Sequence, residues 1–114
     1  MIPHQIINDQ TALVKTAREL DNDNAYEMVE TITELQNNGH KFILLDFSEL
    51  EFLSSAGVGS ILGTIEISRE MEGDIIICNA SSKIMHILEL LDLVDYFTIK
   101  GTVEEARQSY VKGN

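Results

Sequence analysis

Lys41 to Gly63 reads KFILLDFSELEFLSSAGVGSILG, and this stretch decides the fold. It opens on Phe42-Ile43-Leu44-Leu45, an apolar run closed by Asp46-Phe47. That length and composition predict a buried strand. Ser48 to Glu51 is a polar turn, and Phe52-Leu53 follows it. Then come small residues, Ser54-Ser55-Ala56-Gly57, with Gly59 just beyond. Apolar side chains return at Val58, Ile61, Leu62 and Ile65, the i, i+3, i+4, i+7 spacing of one helix stripe. A serine pair therefore sits where a loop turns into a helix.

The first N–H groups of a helix have no internal partner, and the macrodipole makes that end positive. A phosphate there is stabilised by the backbone. Ser54 or Ser55 can act simply as the N-cap, or can carry a phosphoryl group without breaking the fold. The helix face opposite the apolar stripe holds Ala56, Ser60, Gly63, Ile67 and Met71. A solvated helix face ordinarily carries Lys and Glu. A bare face of small residues beside a modifiable serine suits close docking by another protein.

Working outward, the 114 residues are expected to form one domain, spanning 1–114, with enough chain for a core. No apolar run approaches the roughly 20 residues of a membrane helix. The N-terminus lacks the basic and apolar regions of a signal peptide. The single cysteine, Cys78, ends an apolar run and reads as a buried structural thiol. Together these features predict a cytoplasmic protein with no direct membrane insertion. The net charge of −11 argues against nucleic acid as a partner, because its phosphates would be repelled. It favours a basic partner surface, or solubility alone.

Ile2 to Ile7 and Ala12 to Arg18 read as strands of a hairpin across Asn8-Asp9-Gln10, and Glu19 to Asp23 as an acidic loop. Asn24 is expected to cap a helix with Glu27 in a capping box. Its stripe is Ala25, Met28, Val29, Ile32 and Leu35, and Gly39 suits its left-handed stop. Beyond the central strand and helix, Gly73 is a breaker and Asp74 to Cys78 a short buried strand. Ser81 or Ser82 caps a helix with Ile84, Ile87, Leu88 and Leu91 on its stripe. Tyr96 to Ile99 is a last strand, and Thr102 with Glu105 starts a final helix. Strands alternating with single helices imply parallel pairing and right-handed crossovers. The opening hairpin makes the sheet mixed. The expected fold is α/β, a mixed sheet of about four to five strands with helices packed against it.

Little here supports catalysis. Gly57-Val58-Gly59 with Gly63 mimics a dinucleotide fingerprint, but that motif follows its strand directly, and here the strand ends about ten residues too early. The histidines, His4, His40 and His86, are scattered, and none has a neighbour at metal-site spacing. Asp46 suits a general base or, more simply, the polar end of a strand that bonds loop N–H groups. With no triad and no carboxylate pair, no enzyme, cofactor or metal is expected.

The run from Asp46 to Gly59, DFSELEFLSSAGVG, resembles the signature of STAS domains, found in sulfate transporters and anti-sigma-factor antagonists. The order of elements agrees along nearly the whole chain, including Leu88 to Ala106. A domain of this size resembles the bacterial anti-sigma-factor antagonists. The resemblance implies partner switching that regulates transcription. A partner that is both anti-sigma factor and serine kinase phosphorylates a serine at the helix start. The unphosphorylated form binds that partner and frees the sigma factor, and a phosphoserine phosphatase resets the system. By position the phosphoacceptor is Ser55, with Ser54 as the alternative. Glu19-Leu20-Asp21 matches the family's acidic loop, which puts Asp21 at the contact. The expected partner-binding set is Asp21, Ser54, Ser55, Ala56, Gly57, Gly59, Ser60, Gly63 and Ile67. Two positions depart from the family pattern: Ser54 stands where many members have aspartate, and Arg18 where a glycine usually precedes the acidic loop. The competing readings are a non-switching STAS scaffold or accessory subunit of a signalling or transporter complex, and a nucleotide or small-molecule binder.

Overall fold

The computed structural model describes residues 2–111. Strands β1 (His4–Asn8) and β2 (Thr11–Lys15) form the antiparallel hairpin. A two-residue strand β3 (Glu19–Leu20) precedes helix α1 (Ala25–Asn37) and the central strand β4 (Phe42–Asp46). A second two-residue strand, β5 (Phe52–Leu53), leads into helix α2 (Ser55–Glu70). Strand β6 (Asp74–Cys78), helix α3 (Ser82–Leu90), strand β7 (Thr98–Lys100) and helix α4 (Val103–Val111) complete the order.

The main sheet has five strands in the order β1-β2-β4-β6-β7. Every pairing beyond the hairpin is parallel, so β4 lies at the centre, flanked by β2 and β6. A mixed five-stranded sheet with helices against it is the fold expected from the alternation of strands and helices.

The two faces differ. Val14, Ile43, Leu45, Ile75 and Ile77 point into the larger core, where Met28 and Ile32 of α1, Ile61 and Ile65 of α2, and Ile84 and Leu88 of α3 meet them. On the other face Leu44, Ile76 and Cys78 pack against Ala106 of α4. Because β4 and β6 are covered on both sides, Phe42 to Leu45 and Ile75 to Cys78 are continuously apolar instead of alternating. Phe47, fully buried, turns back into the larger core directly after β4. Among the described residues no helix is long and apolar enough to cross a membrane.

Several expectations are corrected. Strand β2 ends at Lys15, not Arg18, because Thr16 N–H and Oγ1 turn to the Asp46 carbonyl, at 3.1 and 3.3 Å. The start of the acidic loop is the strand β3, paired in parallel with β5, a pair the sequence reading lacked. Asn24 stands at the N-cap of α1, but its side chain makes no cap bond. Its Oδ1 accepts from Asp21 N (2.9 Å) and its Nδ2 donates to the Glu19 carbonyl (2.6 Å), so it braces the acidic loop instead of the helix. Tyr96 and Phe97 belong to a turn, both N–H groups donating to the Leu93 carbonyl, and the last strand starts at Thr98. Leu91 of the expected α3 stripe is exposed. Gly39 takes the expected left-handed role after α1 (φ 95°), and Gly73 lies beyond the end of α2 as a breaker, next to the left-handed Glu72 (φ 68°).

Cys78 is buried, as its place in the strand predicts. Burial pushes its thiol up to about 12, and the Asp46 carboxylate pushes the same way. The folded chain therefore holds this proton more tightly than the unfolded chain, whose thiol titrates near ~8.5. The sign follows: this contribution to stability is complete below about pH 8.5 and is lost as pH rises toward 12. Alkylation of Cys78 by a thiol reagent at pH 8 is expected only through unfolding, its rate rising with denaturant. Rapid labelling of the native protein would contradict this.

Candidate functional site

The site is built where β5 meets α2. Leu20 and Leu53 pair in register, and the Leu20 carbonyl then accepts from Ser54 N–H at 3.0 Å. The acidic loop is thereby tied to the residue that starts the helix. Ser54 has extended backbone (φ −90°, ψ 171°), and its side chain accepts from Gly57 N–H at 3.2 Å. This is an N-cap, worth about 1 kcal/mol. The two serines thus take different places. Ser54 is engaged by the backbone, and Ser55, the first helical residue, is exposed.

Asp21 is half-buried at the edge of the acidic loop. Its Oδ1 accepts from Asp23 N–H at 2.9 Å, and its carbonyl accepts from Ala25 N–H at 2.8 Å. Arg18, just before β3, is held to Glu51 at 2.7 Å in an exposed pair that adds little stability.

Along α2 the remaining expected residues separate. Ala56, Ser60, Gly63 and Ile67 form one strip, with Gly63 and Ile67 exposed and Ala56 and Ser60 half-buried. The Ser60 hydroxyl donates to the Gly57 carbonyl at 2.7 Å. Gly59 is exposed with open space above it. Gly57 is the exception, since it is buried beneath β3. A Cβ there would lie 2.5 Å from the Leu20 carbonyl oxygen. It allows close approach inside the protein and offers no surface to a partner.

The sequence reading missed the other wall of the site. A groove of about 420 Å³ runs between α2 and α3. Leu53, Ser55, Gly59 and Leu62 line one side, and Ile87 and Leu90 the other. Leu90 is 72% exposed and Leu91 49%. Phe52, 63% exposed, stands beside this region with Lys83 Nζ 5.6 Å from its ring centroid. The adjacent leucines at 90 and 91 were the available signal, because one helix stripe cannot bury both.

Asp46, weighed above as a base, is engaged in structure. Its Oδ1 accepts from Ser48 N–H (2.9 Å) and from Asn79 Nδ2 (3.0 Å), fixing the loops after β4 and β6. Among the described residues no three His, Cys, Asp or Glu side chains cluster as metal ligands would.

Comparison with known proteins agrees with this architecture. The family model for the STAS domain matches residues 4–106. The anti-sigma-B factor antagonist of Staphylococcus aureus is 24% identical over 91 residues, covering 80% of this chain and 84% of its own. Two solved structures of SpoIIAA share the fold. The unphosphorylated anti-sigma factor antagonist superposes with a TM-score of 0.83 at 22% identity, over 100% of this chain and 98% of its own. The phosphorylated form, from Bacillus, gives 0.74 at 22% identity, over 95% and 97%.

Proposed function

This chain belongs to the STAS domain family, and from that membership we propose that it is an anti-sigma-factor antagonist controlled by phosphorylation of Ser55. Unphosphorylated, it binds an anti-sigma factor that is also a serine kinase, and the sigma factor is released to direct transcription. Phosphorylated, it lets that partner go, and a phosphatase restores it. The protein is a regulatory binding module of the cytoplasm and not an enzyme.

One observation carries this reading: the division of labour between the serines. Ser54 satisfies the helix start, which leaves the Ser55 hydroxyl exposed and free of structural duty. A kinase can then reach Ser55 without unmaking the cap. Phosphate at the first helical position meets the positive end of the dipole, so the fold tolerates it. The surroundings supply the docking surface: the α2–α3 groove on one side, and Ala56, Ser60, Gly63 and Ile67 on the other. Asp21 lies in the acidic loop, which the Leu20 carbonyl ties to the helix start, and its charge favours a basic partner. A net charge of −11 also argues against nucleic acid.

The test is the intact mass of the protein purified from its own cells, with the modified residue located by fragmentation. A phosphoryl adduct on Ser55 is expected. An adduct on Ser54 would move the switch by one residue. No adduct in growing or stressed cells would leave a STAS scaffold whose serines only begin a helix.

A further inference from the structure

We infer that Lys83 is the cation that receives the phosphate on Ser55, leaving the Phe52 ring to close an ion pair across the mouth of the α2–α3 groove. This rests on the reading of Ser55 as phosphoacceptor and adds a residue that the sequence did not single out.

The geometry starts from topology. Helix α2 returns the chain to the start of β6, and α3 returns it to the start of β7, both pairs parallel. The two helices therefore run the same way and begin at the same edge, the carboxyl ends of the strands. Ser55 is the first residue of α2 and Lys83 the second of α3. Ile87, one turn beyond Lys83, lines the groove that Ser55 also lines. Residues four apart share a helix face, so Lys83 heads the α3 wall of the groove as Ser55 heads the α2 wall. Its ammonium group rests over Phe52, three residues before Ser55.

Other cations near this end of the sheet are engaged or turned away. Lys15 is paired with Glu49 and Arg18 with Glu51, both within 2.9 Å. Lys100 sits opposite Cys78 in register, on the face covered by α4. Lys83 has no carboxylate partner among the described residues and holds only an aromatic face. A cation over an exposed ring is weakly bound compared with one paired to a phosphate. Phosphorylation therefore offers Lys83 a stronger partner. The new pair would bridge the two helices where an apolar partner segment enters, and switching would combine repulsion with a closed groove.

The experiment installs phosphoserine at Ser55 during synthesis and follows its ³¹P shift against pH, in the otherwise native chain, in Lys83→Met and in Lys83→Arg. A nearby cation favours the doubly charged phosphate. The second ionisation, ordinarily near ~6, is expected about half a pH unit lower with Lys83 or Lys83→Arg than with Lys83→Met. That difference should shrink in ~1 M salt. The ring-shifted resonances of the Lys83 side chain should move outward on phosphorylation. Equal ionisation in all three proteins, or an unmoved Lys83, would overturn the inference. Because the phosphate is installed chemically, this result is read whether or not a kinase modifies Ser55 in the cell, which the mass measurement decides separately.

Discussion

Ser55→Asp is expected to weaken binding to the anti-sigma-factor partner about 100-fold while leaving the melting temperature unchanged or slightly raised. The two effects come from the same position and have opposite signs. At the first turn of α2 a carboxylate faces unpartnered backbone N–H groups, an interaction worth about 0.3–1 kcal/mol in favour of folding. At a packed interface the same carboxylate must be desolvated, on a chain already carrying a net charge of −11. A loss of about 2–3 kcal/mol of binding follows, which is the 100-fold effect. Phosphate, with about −1.5 to −2 charge, should exceed it. Ser55→Ala should keep full affinity and resist release. Titration calorimetry against the partner, alongside thermal unfolding of each variant, gives both readings. A variant that binds as tightly as the native chain would remove Ser55 from the interface. A variant that melts early would mean that the serine serves the fold after all.

How far the sequence was legible follows from the length of its patterns. Strand β4, helix α2 and strand β6 announce themselves because four or more residues repeat one physical preference. Ile75 to Cys78 is apolar throughout since both faces are covered, and that pattern survives any error of register. The pair β3–β5 has no such pattern. Two residues cannot show a period, and Glu19-Leu20 is as compatible with a loop as with a strand until Phe52-Leu53 lies beside it. The same limit affected Asn24. Its place at the helix start was readable, yet its side chain bonds backward to Glu19 and Asp21, a choice set by the neighbouring strand pair. Gln36 is similar. It looks like the polar end of α1 but is buried against α2, its Nε2 donating to the Thr64 carbonyl and to Ser68 Oγ at 2.9 and 2.8 Å. The candidate site divides along the same line. The serine pair was visible in sequence, because a cap and a helix start are local. The groove and Lys83 were not, because they need α3 laid beside α2.

The two helix glycines at 57 and 59 should respond to the same substitution in opposite directions. Gly59→Ala adds a methyl to open space on an exposed helix surface. It should stabilise by about 0.5–1 kcal/mol, because alanine loses less backbone freedom in a helix. Gly57→Ala places its Cβ 2.5 Å from the Leu20 carbonyl oxygen and 3.0 Å from both Leu20 Cγ and Leu53 Cδ1. That oxygen is backbone, and it is the acceptor for Ser54 N–H, so it cannot move aside without opening the tie between β3 and α2. The overpacking cost is about 1–3 kcal/mol, at the upper end because backbone must shift. In urea, the midpoint of Gly57→Ala should fall and that of Gly59→Ala should rise, with similar slopes. Function should also divide. Gly57→Ala displaces Ser54, and with it the start of the helix that presents Ser55, so partner affinity and the rate of phosphorylation should both fall in protein that remains folded. If Gly57→Ala matched the native chain in stability, the close seam between the acidic loop and the helix start would be wrong, and the tie that holds Ser54 against Leu20 would fall with it.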